Sequence, residues 1–256
     1  MIGFNKPKGI NLKTEQELKF IREAGRMLRE VKNIIKQNIV EGITTKELDS
    51  IAENAINKLG GKPGFKGLYG FPGTICSSFN EEIVHGIPNS RKVKDGDILS
   101  VDCGVIYEEF NSDSAFTVSI GKIPSNIKTL INTTQEALKL GIQEAKPGNH
   151  IGDIGHSIEK YSKSKGFSVV KEYVGHGIGL EMHEDPQIPN YGIKGKGFTL
   201  KTGMAICIEP MFNLGSAETK VDQDGWTVRT VDGLNSAHFE HTIGILDNEI
   251  CIFTEK

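Results

Sequence analysis

Four carboxylates stand in segments of the chain that are otherwise apolar. Asp102 and Asp113 lie in two consecutive apolar runs, Glu209 ends a third run, and Glu240 lies within a fourth. An isolated ionised carboxylate in such a run costs several kcal/mol or takes up a proton. Four of them can share a cleft only if cations neutralise them, and two divalent metal ions carry that charge. For the two aspartates there is an alternative without metal, in which Asp113 is a turn residue and Asp102 is a hydrogen-bonded core aspartate.

One histidine has the setting of a metal ligand. Glycines flank His176 in the segment VGHGIG, 174–179, and leave its ring accessible to a ligand. Four carboxylates and one imidazole form an oxygen-rich set, which suits Mn²⁺, Fe²⁺, Co²⁺ or Zn²⁺ in an open site. Paired ions about 3.5–4 Å apart lower the pKa of a bridging water from about 15.7 towards about 7 and polarise a scissile carbonyl. These residues therefore predict a hydrolase with two metal ions.

The composition excludes several classes of protein. The 256 residues carry a net charge of −3, and no run of lysine or arginine exceeds two, so direct nucleic-acid binding is not expected. The absence of an apolar stretch of about 18 residues, or of a signal-peptide core at the N-terminus, predicts a cytoplasmic protein that does not enter membranes. Four cysteines stand singly in apolar runs and are expected to be reduced core thiols: Cys76, Cys103, Cys207 and Cys251.

Local signals predict most of the elements that must hold these side chains. Capping boxes begin at Thr14 and Thr44, and each precedes apolar residues at helical spacing. The apolar runs 98–107 and 112–120 form a hairpin with its turn at 108–111. A loop is predicted over 61–73. Helices are predicted over 15–38, 45–59, 125–145 and 151–165, and further strands over 74–79, 167–173, 204–209, 226–231, 238–245 and 249–254.

The order of these elements repeats along the chain. Two helices followed by antiparallel strands occur twice, at an offset of about 110 residues. This pattern predicts an α+β fold with two pseudo-symmetric helix-helix-strand halves around a central antiparallel sheet, with the helices packed outside. No linker or change of composition argues for separate domains, so residues 1–256 are predicted to form one catalytic domain. Polar side chains on the strands would then converge on a cleft shared by both halves.

Seven short motifs carry a resemblance to a known family. They are NEEIVHGIPN (80–89), SVDCG (100–104), NSDSA (111–115), VGHGIG (174–179), MHEDPQIPNY (182–191), CIEPMF (207–212) and FEHTIG (239–244). In order and spacing they resemble type I methionine aminopeptidases of the pita-bread fold, in the short bacterial-like form. The resemblance covers almost the whole chain.

The resemblance implies a role for each of the chemical side chains. The implied ligands of two metal ions are Asp102, Asp113, His176, Glu209 and Glu240, with Asp113 and Glu240 bridging. It further implies that Glu209 accepts a proton from the nucleophilic water. His183 is implied to hydrogen-bond the scissile peptide and its tetrahedral intermediate, and His85 to contact the substrate near the same bond.

The resemblance also implies a small apolar pocket for a methionine side chain. The implied lining residues are Phe65, Phe71, Cys76, Met182 and Trp226. Soft and aromatic side chains suit a thioether. The sequence departs from the family where Phe65, Leu68 and Phe71 stand at positions that often hold cysteine and tyrosines, which bears on the polarity of the pocket.

The implied activity is removal of the initiator methionine from nascent proteins with a small second residue, by attack of a metal-bridging water or hydroxide. The implied partners are two divalent ions (Co, Mn, Fe or Zn) and nascent-chain N-termini at the ribosome, and the implied state is a monomer. Because Ile2 is large, the chain is expected to keep its own Met1. Two alternatives stay open: an Xaa-Pro-type peptidase of the same fold, and a non-catalytic pita-bread binding protein.

Two further histidines have different expected settings. His238 lies two residues before Glu240 and would share its face of a strand, where it could support a ligand. His241 should point to the opposite face and pack in the core.

Overall fold

The computed structural model describes residues 9–247 and 249–255. The predictions for Met1, for Ile2 and for a leader within the first eight residues lie outside the described residues. The described part of the chain contains four α-helices: α1 (Glu15–Asn38), α2 (Thr45–Lys58), α3 (Ser125–Gln143) and α4 (Ile151–Lys165). All four lie within two residues of their predicted ends.

Capping boxes begin the first two helices, as predicted. The Thr14 side chain accepts a hydrogen bond from the Glu17 amide, and Glu17 in turn accepts one from the Thr14 amide. Thr44 and Glu47 form the same reciprocal pair at the start of α2. Each box satisfies two backbone donors that a helix start would otherwise leave unpaired.

Apart from the two strands of the first hairpin, the strands are shorter and more numerous than predicted. They are β1 (Lys62–Pro63), β2 (Ile75–Phe79), β3 (Glu82–Val84), β4 (Ile98–Tyr107), β5 (Phe110–Ser119), β6 (Ser168–Val169), β7 (Gly175–Gly177), β8 (Glu184–Ile188), β9 (Ala205–Ile208), β10 (Met211–Asn213), β11 (Thr219–Val221), β12 (Val228–Thr230), β13 (Ser236–His238), β14 (His241–Ile245) and β15 (Ile250–Ile252). A short 3₁₀ turn, Leu68–Gly70, lies in the predicted loop.

The described strands pair in four antiparallel sheets. Their orders are β1-β4-β2 with β5 on β4, β13-β10-β6, β11-β12-β3, and β15-β14-β9-β7-β8. Helix α1 packs on β4 and β5, and α3 packs on β13 and β10, so each half of the chain contributes helices and strands. The α+β class agrees with the prediction, whereas the single domain over 1–256 stays a prediction.

The hairpin of β4 and β5 holds the two aspartates on one face. Asp102 lies opposite Ala115, and Asp113 lies opposite Gly104, so the two carboxylates are diagonal neighbours. The predicted turn was too long, because only Glu108 and Glu109 connect the strands. Both residues have positive φ, 46° and 68°, as in the two-residue turns whose twist matches that of a hairpin.

The chain leaves its sheet at two glutamates, and only the second of these breaks interrupts a predicted strand. The segment 204–209 ends as β9, and after Glu209 and Pro210 the chain continues as β10 in another sheet. The segment 238–245 was predicted as one strand, but it divides at Glu240 into the end of β13 and all of β14. Pro210 cannot donate a ladder hydrogen bond, which favours the first break. Both glutamates therefore stand where the chain changes sheets.

Hydrogen bonds between β5 and the second break join the two halves. The Glu240 amide donates to the Ala115 carbonyl at 3.0 Å. The Thr242 hydroxyl accepts from the Asp113 amide at 2.8 Å and donates to the Asp113 carbonyl at 2.7 Å. These contacts fix Glu240 and Asp113 relative to each other although 127 positions (240 − 113) separate them.

Candidate metal centre and substrate cleft

Three carboxylates converge at the junction of the two halves. Asp102, Asp113 and Glu240 each offer an oxygen, and the three oxygens all lie within 4.8 Å of one another. The Asp113 and Glu240 side chains are buried, at 3% and 2% exposure. One oxygen of each of the three carboxylates is buried without a hydrogen-bond partner among the described residues. Such a cluster needs protons or cations.

His176 adds a neutral nitrogen to the cluster. Its Nδ1 lies 2.9 Å from the Gly177 carbonyl oxygen. A carbonyl can only accept, so Nδ1 carries the proton and Nε2 presents its lone pair. That Nε2 lies 4.0 Å from Asp113 Oδ2 and 3.6 Å from Glu209 Oε1. A lone pair that faces two carboxylate oxygens is suited to a shared cation.

Glu209, from the second half of the chain, is the fourth carboxylate at this site. Its side chain keeps 13% exposure. Its Oε2 lies 4.0 Å from Nε2 of His238, which is buried and has no hydrogen-bond partner at that atom. His238 thus lies beside Glu209, in agreement with the supporting position considered for it. His241 points away and its Nδ1 lies 2.7 Å from the Thr254 hydroxyl.

Burial and mutual repulsion oppose ionisation of the four carboxyl groups. Burial raises the pKa of Asp102 to about 6. Burial, followed by the charges of neighbouring carboxylates, raises the pKa of Asp113, Glu209 and Glu240 well above the usual range. Burial lowers the pKa of His176 to about 3, so its ring is neutral. Without cations this site would hold protons on part of its carboxyl groups.

The donor set fits divalent metal ions. Four carboxylates with a neutral imidazole carry four negative charges, which two divalent ions balance. Unpartnered carboxylate oxygens and a free imidazole nitrogen meet in one place, and such oxygen and nitrogen donors bind first-row divalent metals. The alternative in which Asp113 is a turn residue is wrong, since Asp113 lies in the middle of β5.

An apolar wall and the carboxylates line one cleft of about 70 Å³. The predicted pocket residues Phe65, Phe71, Cys76 and Trp226 line this cleft together with the five candidate ligands. The Trp226 ring stands edge-on to Phe71, with centroids 5.1 Å apart. Cys76 lies on the same face of the sheet as Asp102, because the two are paired across β2 and β4.

Met182 was predicted in this wall, and its side chain packs on the hairpin face that carries Asp102 and Asp113. A Cβ added at Gly104 would lie 2.6 Å from Met182 Cε and 3.0 Å from Phe65 Cε1. The glycine therefore leaves a space on the hairpin that Met182 fills. Met182 thus packs beside Phe65, and its part in the methionine pocket stays a prediction.

Two histidines stand at the cleft beside the carboxylates. The ring centroid of His183 lies 4.5 Å from that of His176, and His85 stands edge-on to Tyr173 at 5.6 Å. Burial lowers the pKa of both His85 and His183 to about 4, and for His85 the nearby His183 contributes. Both rings are therefore neutral near pH 7. Nδ1 of His183 is buried without a hydrogen-bond partner.

Two residues near the site, Tyr69 and Cys207, were missing from the predicted set, and Leu68 was named only as a departure from the family. Leu68 and Tyr69 line the cleft, and the Tyr69 ring stacks on His183 with centroids 6.0 Å apart. Cys207 was assigned to the core, yet its Sγ lies within 4.8 Å of ligand atoms of His176 and Glu240. The sequence signal for Cys207 was its position two residues before Glu209 on the same strand face.

Comparison with known proteins identifies the family. Residues 19–247 match metallopeptidase family M24. Methionine aminopeptidase 1 of Bacillus subtilis is 52% identical over 242 residues, which cover 94% of this chain and 98% of that protein. The chain belongs to the methionine aminopeptidases of family M24. The methionine aminopeptidase of Clostridium perfringens is 49% identical to this M24 chain over 239 residues, 93% of this chain and 96% of that protein.

Solved structures agree with this membership. The crystal structure of methionine aminopeptidase from Rickettsia prowazekii superimposes on this chain with a TM-score of 0.95 at 39% identity. The superposition covers 96% of this chain and 100% of the Rickettsia chain. The prolidase from Pyrococcus furiosus has a TM-score of 0.77 at 24% identity, with 96% of this chain but 65% of that chain covered, which speaks to the fold alone. The pita-bread fold is confirmed.

Family membership makes this chain a metal-dependent aminopeptidase. The Xaa-Pro-type peptidase and the non-catalytic binding protein are not favoured. The individual roles of the site residues stay predictions. No helix in the described residues has the length and apolar character needed to cross a membrane.

Proposed function

We propose that this M24 metallopeptidase removes the N-terminal methionine of nascent proteins whose second residue is small. One observation carries the proposal: the apolar wall and the carboxylate cluster line the same cleft. A methionine side chain against Phe65, Phe71 and Trp226 would bring the peptide bond that follows it towards Asp102 and Asp113. Aromatic and thiol contacts favour a thioether over a charged or branched side chain.

The cluster would hold two divalent ions, chosen from Co, Mn, Fe or Zn. Charge balance supports two, because four buried carboxylates and a neutral imidazole leave four negative charges. Asp102, Asp113, His176, Glu209 and Glu240 would hold the ions. When bound there, the ions would polarise the scissile carbonyl and lower the pKa of a water.

The chain's own residues would then move the proton and stabilise the reacting peptide. Glu209 keeps 13% side-chain exposure, and it would accept a proton from the attacking water and pass it to the leaving amine. His183 is neutral, so it can hydrogen-bond the peptide without bringing a positive charge beside the metals. His85, also neutral, would orient the substrate near the same bond.

The first test is amino-acid release from the peptides Met-Ala-Ser and Ala-Pro-Ser by metal-reconstituted protein, with and without a chelator. We expect chelator-sensitive methionine release from the first peptide alone. Release from the proline peptide alone would move the function to an Xaa-Pro-type peptidase. Inactivity on both peptides in protein that retains its metal would favour the non-catalytic alternative.

Two variants separate metal binding from catalysis. Asp113→Ala should lose bound metal and turnover together, whereas His183→Ala should retain metal, measured by elemental analysis, and lose turnover. His156→Ala on α4 is a control for removal of a histidine that does not line this cleft. Full activity of either of the first two variants would contradict the assigned roles.

Three features of the protein in the cell are part of the same proposal: a cytoplasmic location, action at the ribosome and a monomeric state. Acidic net charge argues against tight binding to ribosomal RNA through a broad basic surface, so contact near the exit of the nascent chain would be weak. Co-sedimentation with ribosomes at low and high salt tests this, and light scattering tests the monomer.

A further inference from the structure

The loop that carries His183 is held from outside the cleft by a residue of the N-terminal segment. We define residues 178–184 as the His183 loop. We propose that the buried ion pair between Lys13 and Glu184 positions His183 for catalysis. The inference rests on the role proposed for His183, and Lys13 is a positioning residue because it acts through the loop.

The ion pair joins parts of the chain that are far apart in sequence. Lys13 Nζ lies 2.5 Å from Glu184 Oε2, and the two side chains are 2% and 11% exposed. Lys13 Nζ also donates to the Asn11 carbonyl at 3.1 Å, and the Lys13 amide donates to the Gly203 carbonyl at 2.7 Å. The lysine is thus fixed at both its backbone and its side chain, directly before the start of α1.

Glu184 transmits this restraint to the loop because it follows His183 directly. Its other oxygen, Oε1, accepts a hydrogen bond from the Glu181 amide at 3.3 Å. The carboxylate therefore spans the loop, from Lys13 on one side to residue 181 on the other. Glu184 also begins β8 and pairs there with Gly177, the neighbour of the candidate ligand His176.

Gly179 makes room for the ion pair. A Cβ added at this glycine would lie 2.4 Å from Lys13 Cε and 2.5 Å from Glu184 Oε1. The charged groups therefore lie directly against the loop backbone, and a substitution at Gly179 would displace them. The loop is shaped to receive Lys13, which a surface ion pair would not require.

A second contact holds the loop from the metal side. Asn111 donates from its side chain to the Gly179 and Leu180 carbonyls, at 3.0 and 2.9 Å, and its amide donates to the Gly179 carbonyl at 2.8 Å. Asn111 lies two residues before Asp113 on β5. The loop is thus held between the ligand strand and Lys13, and removal of one restraint lets His183 shift relative to the carboxylates.

The test uses Lys13→Met, which keeps the length of the side chain and removes its charge. We expect kcat for Met-Ala-Ser to fall at least about tenfold, because small displacements of a catalytic group cost that much or more. The affinity for Mn²⁺ of the metal-free protein, measured by calorimetry, should change less than about threefold, since the ligands are untouched. Lys13→Arg should recover part of kcat because it retains the charge.

Hydrogen exchange gives a readout that does not depend on activity. Amides of the His183 loop should exchange at least about tenfold faster in Lys13→Met, as they lose a buried restraint. Glu184→Gln should show the same faster exchange, and it serves if Lys13→Met does not fold. Lys66→Met removes the exposed ion pair with Glu53 and is the matched control that should change neither quantity.

A double-mutant comparison separates positioning from general destabilisation. In a His183→Ala background Lys13→Met should have no further effect on the residual kcat, since the residue it positions is gone. Val93→Ala leaves a cavity in the core formed with α2, and this destabilised variant should keep kcat. An equal fall of kcat in the His183→Ala background, or unchanged exchange of the loop, would overturn the inference. If the wild-type protein released no methionine, the proposed function would be wrong. The hydrogen-exchange result would still show whether Lys13 restrains the His183 loop.

Discussion

Lys32 brings an ammonium group into the core between α1 and β5, and its removal should stabilise the protein. It is 5% exposed among the buried neighbours Leu28, Val31 and Ile35. Its Nζ donates to the hydroxyl of Ser114, a neutral partner, which in turn donates to the Glu240 carbonyl at 2.6 Å. Burial, with a smaller contribution from the charge of Lys36, lowers the pKa of Lys32 from 10.5 to about 7.

The pKa shift sets the magnitude of the effect. A shift of about 3.5 units (10.5 − 7) at about 1.4 kcal/mol per unit corresponds to about 5 kcal/mol of unfavourable free energy for the charged form. Lys32→Met removes this cost and loses one charge-assisted hydrogen bond, worth about 1.5–3 kcal/mol. We therefore expect the metal-free variant to be about 2–3 kcal/mol more stable than the wild type at pH 7.

The pH dependence follows from the sign of the shift. Between pH 7 and 10.5 the unfolded chain holds the lysine proton and the folded chain has released it. The free energy of unfolding of the wild type therefore rises with pH, by up to about 1.4 kcal/mol per unit from this group. The advantage of Lys32→Met should be greatest at pH 7 and below, and should shrink by about 2 kcal/mol or more by pH 9.

Urea unfolding of both metal-free proteins at pH 7, 8 and 9 measures this difference, provided that the m-values agree. Lys36→Met is the control, because Lys36 is less buried and its ammonium lies 4.4 Å from the Phe116 ring centroid. Its effect should be smaller at every pH. A gap that did not change with pH, or a Lys32→Met protein less stable than the wild type at pH 7, would refute the reasoning.

Three further predictions concern the site. Addition of Mn²⁺ to 1,000 times its Kd should stabilise the protein by about 4 kcal/mol. For a chain of 256 residues this raises the Tm measured by calorimetry by about 8 °C. Asp113→Asn should abolish most of this shift in Tm. Trp226→Ala should raise KM for Met-Ala-Ser more than it lowers kcat, since it removes the ring that packs on Phe71; a change in kcat alone would contradict a pocket role. Thr242→Val leaves the buried Asp113 amide unpaired and should lower the free energy of unfolding in urea by about 1–3 kcal/mol. It should also weaken Mn²⁺ binding in calorimetry. Unchanged Mn²⁺ binding would show that this contact does not hold Asp113 in place.

The helices and the candidate ligands could be predicted because their signals are local or chemical. A capping box lies within four residues, and the boxes at Thr14 and Thr44 predicted both helix starts. A carboxylate in an apolar run is conspicuous wherever the run folds, so Asp102, Asp113 and Glu240 could be named before their positions were known. His176 was conspicuous through its glycine neighbours.

Pairing in sheets was harder to predict because it depends on residues that are distant in sequence. Apolar runs do not reveal where a strand changes partners, so the break at Glu240 was missed, whereas the end of a strand at Glu209 was predicted. The turn of the first hairpin was predicted too long, since two glutamates with positive φ are uncommon in such turns. Met182 fills the space above Gly104, and this depends on tertiary packing that no local sequence pattern indicates.

The sequence by itself determined the chemistry of this protein: which side chains can bind metal, that their charge requires cations, and where the helices begin. Only the tertiary structure decided which atoms meet, because the energy of a buried charge depends on its neighbours in space. Asp113 and Glu240 are brought together by hydrogen bonds between the two halves of the chain, from the Glu240 amide to Ala115 and from the Asp113 amide to the Thr242 hydroxyl. Lys13 reaches Glu184 across 171 positions, and that contact exists only after both segments have packed against the same glycine.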